Sequence, residues 1–326
     1  MKSPRQNSDC WDQFWRTGRD SCCSEQEDSA HAQRIREQWV ELFAGIESNN
    51  KVLDLCTGNG AVLRVALECL NRTGFPVALY GVDSAAIAPD PSDVDRAQAE
   101  LMFVRASVTD LPFADGSFDV ISSQFGIEYA PVDAAVPEIM RVLKRGGVGR
   151  FVTHASDGVL AAGAAAEIAD IHSLMNEIRI FPAAIEALTL AREVERDPSG
   201  ATASQVGRAT QAHEAFQERL ARIGDGWRKR SAITVYRDTG SILQHTYLNR
   251  RLFPVDVLLD KVRETEQSVN LHRDRLQSLL DSAFDRESCE QLVFECRRHG
   301  AREYEFRPVL ASDDTSQLGW VITTSK

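Results

Sequence analysis

The stretch of sequence that decides the fold runs from residue 52 to residue 61 and reads Val52-Leu53-Asp54-Leu55-Cys56-Thr57-Gly58-Asn59-Gly60-Ala61. Its first half is apolar except for one carboxylate, as in a buried strand, and an apolar pattern with helical spacing follows from Ala61. Gly58 and Gly60 allow a sharp turn and a close approach to a ligand. The N-terminus of the next helix offers unpaired N–H groups at the same place. We therefore predict a strand, a glycine turn and a helix that together bind a ligand.

Short apolar strands alternate with helical segments on either side of this turn. The pattern predicts strands at 51–56, 77–82, 101–105, 118–122 and 148–154, and helices at 61–71, 94–100 and 136–143. A last helix at 290–299 is followed by two strands at 302–307 and 319–323. This order predicts an α/β fold with a Rossmann-like, doubly wound and mostly parallel sheet, which an antiparallel closing strand completes.

Between residues 157 and 285 the sequence changes to long segments rich in Ala, Glu, Arg and Leu with a 3.6-residue period. The full length of 326 residues allows one large domain or two small ones, at roughly 150 residues per domain. Because the closing strands rejoin the sheet begun at residue 51, we predict one interrupted domain. Its parts are a helical lid at 1–50, a cofactor-binding domain at 51–156 and 286–326, and a helical insertion at 157–285 that caps the substrate.

The composition excludes several classes of partner. The formal net charge is −11, which disfavours nucleic acid and anionic membranes because both bind through basic groups. The most apolar run, 158–166, is too short to span a bilayer, and the N-terminal sequence has no apolar signal core. The 7 cysteines contain no CxxC pair, so we expect reduced thiols and no metal site. A cytoplasmic location is expected.

A second carboxylate indicates the kind of cofactor. Asp83 directly follows the strand 77–82 and lies 23 residues after Gly60, close to the spacing of about 20 for a carboxylate that binds ribose hydroxyls. A nicotinamide cofactor would need a third glycine, where this chain has Leu63. Asp54 would also lie poorly beside a pyrophosphate, whereas it suits a cofactor that carries an ammonium group. A nicotinamide oxidoreductase is therefore the weaker alternative.

With these features the sequence resembles the class I S-adenosylmethionine-dependent methyltransferases. Further stretches carry the resemblance in the same order, namely Leu111-Pro112-Phe113-Ala114-Asp115-Gly116-Ser117-Phe118-Asp119-Val120-Ile121, Glu138-Ile139-Met140-Arg141-Val142-Leu143-Lys144-Arg145-Gly146-Gly147 and Trp320-Val321-Ile322-Thr323. The resemblance covers about residues 50–154 and 286–326. It implies S-adenosylmethionine as the cofactor and methyl transfer as the activity.

The resemblance also implies which residues contact the cofactor. They are Asp54, Gly58, Asn59, Gly60, Asp83, Ser84, Ser107, Val108, Gln124 and Phe125. Separately, the aromatic cluster of Trp11, Phe14 and Trp15 is interpreted as a lid over the cofactor or as a cluster buried under its own helix, and Trp15 is the predicted cofactor contact. The glycine turn would hold the methionine end, Asp83 the ribose, Ser107 and Val108 the adenine, and Gln124 and Phe125 the sulfonium side. The sequence departs from the family at Cys56-Thr57, where many members have Gly-Cys, and at Ser107, where an Asp often binds the adenine.

The residues do not reveal the acceptor atom. His154 and Tyr129 are candidate catalytic residues, because each follows a strand at the carboxyl end of the predicted sheet. The run Gln124-Phe125-Gly126-Ile127 is similar to that of quinone C-methyltransferases. We predict methylation of a small organic metabolite at O, N or C, with a possible homodimer through the helical insertion. The alternative is a methyltransferase-fold protein whose insertion serves partner binding or assembly with little or no catalysis.

Overall fold

A computed structural model describes residues 4–16, 30–70, 76–90, 100–226 and 231–326. The chain divides into two compact units. The first comprises Met1–Ala162 and Ser278–Lys326, and the second comprises Gly163–Gln277. The division into lid, binding domain and capping insertion stays a prediction.

The first unit is built on a seven-stranded sheet. Its strands are β1 (Lys51–Leu55), β2 (Ala78–Asp83), β3 (Glu100–Arg105), β4 (Phe118–Gln124), β5 (Leu143–His154), β6 (Glu303–Leu310) and β7 (Gln317–Ser325), in the order β3-β2-β1-β4-β5-β7-β6. The pairs among β1 to β5 are parallel, and β7 is antiparallel to both β5 and β6. This confirms the Rossmann-like sheet with its antiparallel closing strand. The strand order reverses between β1 and β4, which is where open α/β sheets bind ligands.

Helices cover both faces of this sheet. They are α2 (Ala30–Phe43), α3 (Ala61–Leu70), α4 (Val132–Val142) and α10 (Arg286–Arg298), while α1 (Pro4–Arg16) packs on the segment after β2. One apolar core includes Ile139 of α4 and Leu292 of α10, and the other includes Trp39 of α2 and Leu63 of α3. The amphipathic helices thus bury the sheet from two sides, as a doubly wound fold requires.

Two predicted boundaries near β5 are wrong. Helix α4 begins at Val132, not at 136, and it contains Pro137. Strand β5 begins at Leu143, not at 148, because the glycines at its start pair with the chain end instead of forming a turn. The Gly146 N–H donates to the Lys326 carbonyl at 2.6 Å, and the Lys326 N–H donates to the Gly147 carbonyl at 3.1 Å. Of the predicted helix at 94–100, residues 94–99 lie outside the described residues, and Glu100 begins β3.

The second unit is helical, as the periodicity predicts. Its elements are α5 (Val159–His172), a π-helical turn (Ser173–Ile178), α6 (Ile180–Arg196), α7 (Ala203–Gly226), α8 (Ile233–Leu248) and α9 (Val255–Ser282), of which α5 and α9 extend past the limits of the unit. Within the described residues, none of the helices combines the length and the apolar composition that crossing a bilayer requires.

Candidate active site

The glycine turn follows β1 at the reversal of strand order. Cys56, Gly58 and Gly60 all have left-handed backbone conformations, with φ of 53°, 52° and 88°. Such a conformation favours glycine, so Cys56 is strained where many members of the resembled family have glycine. The Thr57 N–H donates to the Val82 carbonyl at 3.0 Å and thereby ties the turn to the end of β2.

The carboxylate of Asp83, at the end of β2, forms a hydrogen bond with this turn. Its Oδ2 accepts from the N–H of Gly58 and its Oδ1 from the N–H of Ala85, both at 2.9 Å. Burial raises the pKa of Asp83, while these N–H groups lower it. Each oxygen of a carboxylate can accept more than one hydrogen bond, so both retain capacity for a ligand hydroxyl.

Asp54 lies inside β1 and is 1% exposed. Its Oδ1 accepts from the Ser122 hydroxyl at 2.7 Å. Loss of water on burial raises the pKa of Asp54 to about 7, the Ser122 hydrogen bond opposes the rise, and the charge of Asp83 adds to it. The carboxyl group is therefore near half-ionised at neutral pH.

Three carboxylates surround the thiol of Cys56. Burial raises the pKa of Cys56 well above its ordinary value, and the charges of Asp83, Glu128 and Asp54 raise it further. All three carboxylates are buried. In the part of the chain that the structure describes, no Lys or Arg forms an ion pair with any of them. Buried carboxylates without a Lys or Arg partner are typical of a functional site, and the sign of their charge favours a cationic ligand.

Glu128 and His154 form a buried pair beside this group. Glu128 lies in the 3₁₀ turn Ile127–Tyr129 after β4, and His154 ends β5. The Glu128 Oε1 lies 2.8 Å from the His154 Nδ1 and accepts from the His154 backbone N–H at 3.1 Å. The His154 ring stacks on Phe125 with centroids 4.2 Å apart, and Phe125 is itself left-handed with φ of 50°. The Tyr129 ring meets His154 edge-on at 6.4 Å.

Helix α1 lies against the loops that carry these residues. The indole of Trp15 packs on Gly58 so closely that a Cβ there would overlap it. The Trp15 carbonyl accepts from the Asn59 side-chain amide at 3.1 Å. Asp12 accepts from the Ala86 N–H at 2.8 Å, after β2. The Trp11 ring meets Tyr129 at 5.4 Å, after β4.

The remaining predicted residues lie at the same end of the sheet but contact other groups. Ser107 is exposed, and its hydroxyl lies 2.8 Å from that of Thr109, while Val108 is buried. Ser84 is exposed and accepts from Arg105 through its carbonyl. The Gln124 side chain accepts from the Trp39 indole at 2.5 Å.

The structure thus brings Asp54, Asp83, Phe125 and His154 together with Glu128, the chain neighbour of the candidate Tyr129. No sequence pattern indicates that Glu128 reaches His154, 26 positions away, because the two follow different strands.

Known proteins share this domain. Residues 53–151 match the family model of the methyltransferase domain. The ubiquinone/menaquinone biosynthesis C-methyltransferase UbiE of Rhizobium johnstonii is 35% identical over 103 residues, which are 31% of this chain and 40% of the relative. The 2-phytyl-1,4-naphtoquinone methyltransferase of Trichormus variabilis is 31% identical over 116 residues, which are 34% of this chain and 49% of the relative. The chain thus spans less than half the length of these curated relatives.

A solved structure is similar over part of the chain. The 1,6-didemethyltoxoflavin-N1-methyltransferase of Burkholderia thailandensis has 21% identity and a TM-score of 0.37, and the match covers 48% of this chain and 67% of that protein.

The sheet and the glycine turn define a Rossmann-like nucleotide-binding domain of the methyltransferase type. With the family match, the chain carries the methyltransferase domain of the class I S-adenosylmethionine-dependent methyltransferases, whose cofactor is S-adenosylmethionine. The resemblance seen in the sequence is confirmed, and the nicotinamide alternative is not supported.

Proposed function

We propose that this protein transfers a methyl group from S-adenosylmethionine to a small organic molecule, and that it binds the cofactor at the glycine turn. The three buried carboxylates Asp54, Asp83 and Glu128 around Cys56 carry the proposal. S-adenosylmethionine presents a sulfonium and an ammonium group, and no Lys or Arg of the described chain balances these carboxylates. A cationic ligand would compensate charge that burial otherwise makes unfavourable.

The predicted cofactor residues fit this ligand by their chemistry. Asp83 retains acceptor capacity for the two ribose hydroxyls, and Asp54 can accept from the ammonium group. Gly58, Asn59 and Gly60 would lie along the methionine part. Ser84, Ser107 and Val108 would contact the nucleoside, and Gln124 and Phe125 the sulfonium side.

When bound, the cofactor supplies a methyl group on a positively charged sulfur, and the protein has to align it with the acceptor and exclude water. Trp15, 7% exposed on Gly58, would close the cofactor side as part of α1. His154 and Tyr129 would face the acceptor, because both follow strands at the carboxyl end of the sheet.

The acceptor is proposed to be an aromatic small molecule of the quinone type. The two relatives described above have quinones in their names, and the run 124–127 resembles that of quinone C-methyltransferases. The helical insertion would cap this molecule and could pair two copies of the chain in the cytoplasm. A purely structural role is not favoured, because residues 53–151 match the methyltransferase domain.

Calorimetric titration with S-adenosylmethionine and S-adenosylhomocysteine tests the proposal. We expect binding by the wild type and at least about 100-fold weaker binding by Asp83→Ala, since two hydrogen bonds to a charged group contribute about 1.5–3 kcal/mol each. Asp83→Asn, which keeps the shape of the side chain, should be intermediate. Glu303→Ala is the matched control, because Glu303 is an exposed carboxylate of β6. Absence of binding by the wild type, or equal binding by both Asp83 variants, would contradict the proposal.

A further inference from the structure

A group of apolar side chains lies exposed where two helices of the second unit join. Of the ten large apolar side chains that are exposed in the described residues, four lie within ten positions of the chain, at the end of α8 and the start of α9. They are Leu248, Leu252, Phe253 and Val257, with between 50% and 72% of their surfaces exposed. We call these four residues the apolar turn.

The apolar turn is not needed to fill the core of its own unit. Tyr247 precedes Leu248 and Leu258 follows Val257, and both Tyr247 and Leu258 are buried. The sides of α8 and α9 that face inward are thus already occupied by apolar residues. Soluble proteins commonly expose such side chains singly, whereas a cluster of them is typical of a surface that contacts another molecule. The cluster therefore indicates a contact surface.

Backbone and side-chain contacts hold this surface in one conformation. The N–H groups of Asn249, Arg250 and Leu252 donate to carbonyls three or four positions earlier, at 2.9 to 3.2 Å. The guanidinium of Arg250 lies over the Tyr247 ring, 4.5 Å from its centroid, and pairs with Glu195 of α6 at 3.0 Å. A surface that is already ordered loses little conformational freedom on binding, so its apolar contacts contribute more fully to affinity.

Charges on either side of the apolar turn indicate which molecule fits it. At one side Arg251 has 73% of its side chain exposed, while its Nε pairs with Glu195 at 2.9 Å. At the other side Asp256 is exposed in the first turn of α9, and no Lys or Arg in the described part of the chain pairs with it. An anionic lipid surface would attract Arg251 but repel Asp256. This order of charges therefore disfavours a membrane as the partner.

We propose that the apolar turn pairs two copies of this chain about a two-fold axis, with Arg251 of each copy facing Asp256 of the other. In a two-fold interface the same patch serves both copies, so a residue at one side meets the residue at the opposite side of the partner's patch. A patch that is apolar in the middle, basic at one side and acidic at the other is complementary to itself. The inference rests on the pairing of two copies in the proposed function and identifies its surface.

Sedimentation equilibrium of the full chain tests the pairing without cofactor or turnover. We expect the wild type to have twice the monomer mass of 36.2 kDa. Leu252→Asp should self-associate at least about 100-fold more weakly, because pairing would bury a carboxylate among apolar side chains. Circular dichroism should show that the variant still folds, since Leu252 is exposed. A monomeric wild type throughout the micromolar range, or an unweakened Leu252→Asp dimer, would overturn the proposal.

Charge reversals test which residues face each other. Arg251→Asp and Asp256→Arg each place like charges opposite one another, so each variant alone should self-associate at least about 10-fold more weakly. Mixing the two variants restores opposite charges at both contacts, and we expect a mixed dimer. Glu303→Arg, a reversal at an exposed position of β6, is the matched control and should dimerise as the wild type does. Unweakened single variants, or no recovery on mixing, would overturn the facing of Arg251 and Asp256.

Flotation with phosphatidylglycerol vesicles tests the other occupant of such a surface. We expect no binding that depends on the apolar turn. A monomeric wild type that binds the vesicles, and loses this binding in Leu252→Asp, would assign the surface to lipid and overturn the proposal. Titration with S-adenosylmethionine separates these results from the proposed function. A wild type that pairs through the apolar turn but binds no cofactor would support the pairing and contradict the methyltransferase activity.

Discussion

At the amino ends of the parallel strands each buried or partly buried carboxylate has a basic partner, whereas at the carboxyl ends Asp54, Asp83 and Glu128 have no Lys or Arg in the described chain. Both ends belong to the same sheet. At the amino end, Arg141 and Lys144 compensate the charges of Glu138 and Asp119. The fold can therefore place a basic side chain beside a partly buried carboxylate. The uncompensated end is therefore where we place the ligand.

The amino end is organised around two cations. Arg141 donates to both oxygens of Glu138 at 2.7 and 2.8 Å, to Asp115 at 2.9 Å and to the carbonyls of Phe113 and Leu111. These contacts lower the pKa of Glu138. Lys144 holds both oxygens of Asp119 at 2.7 and 2.8 Å. Ion pairs thereby hold the loop before β4 and the start of β5 in place.

The largest expected effect comes from neutralising the carboxylate in β1. The folded-state pKa of Asp54 is about 7 against an ordinary 3.8, so the folded protein binds the proton more tightly, and stability falls as pH rises from about 4 to about 7. At 1.36 kcal/mol per pKa unit, ionisation of Asp54 destabilises the folded protein above pH 7 by roughly 4 kcal/mol. Urea unfolding at pH 8 should show Asp54→Asn to be more stable than the wild type by up to this amount, with little difference at pH 4.

Urea unfolding of the corresponding variant at the amino end should show a loss of stability instead of a gain. Asp119→Asn, which removes a charge that Lys144 compensates, should lower stability at pH 8. Stabilisation by both substitutions would show that the two ends do not differ in charge compensation.

The next effect is loss of the central cation at the amino end. Arg141→Ala removes five donated hydrogen bonds and leaves Glu138 without its partner. We expect a loss of about 2–3 kcal/mol in the free energy of unfolding, since hydrogen bonds to charged groups contribute about 1.5–3 kcal/mol. Arg263→Ala, which breaks the exposed pair with Asp260, is the control and should change stability by less than about 1 kcal/mol. Equal losses would mean that Arg141 is an ordinary surface charge.

At the carboxyl end, Gly126 and Cys56 are packed closely together. A substitution there should change the free energy of unfolding by a smaller amount. A Cβ at Gly126 would overlap the Cβ of Cys56, so Gly126→Ala should lower stability by about 1–3 kcal/mol. Cys56→Gly removes the obstructing atom and the left-handed strain of residue 56. The double variant should therefore be more stable than the sum of the single changes predicts. Additive thermal or urea unfolding data would contradict this packing.

The smallest expected effect concerns the indole on the glycine turn. If Trp15 closes the proposed cofactor site, Trp15→Ala should weaken binding of S-adenosylhomocysteine about 10-fold, which is 1.4 kcal/mol, within the range for a buried apolar contact. Trp320→Phe in β7 is the control for loss of an indole elsewhere. Tighter binding by Trp15→Ala would mean that the indole occupies space the cofactor needs.

Much of the domain could be predicted from local patterns. The predicted strand and glycine turn at 51–60 are present in the structure. They could be predicted because the apolar run and the glycines that this backbone requires lie within the segment itself. The start of β5 could not be predicted in this way. Gly146 and Gly147 read locally as a turn, but hydrogen bonds to Lys326, 180 positions away from Gly146, make them part of a strand.

By itself, the sequence determined the order of the strands and of most helices, because apolar periodicity and turn residues act over a few neighbouring positions. The family and the cofactor class followed from the resemblance of its motifs to the methyltransferases. The tertiary structure decided what those residues can do. It buried Asp54 so that its pKa rises to about 7, placed Trp15 on Gly58 and joined Glu128 to His154. Burial and hydrogen bonding between separate strands set these properties, and neither is encoded within one segment of the chain.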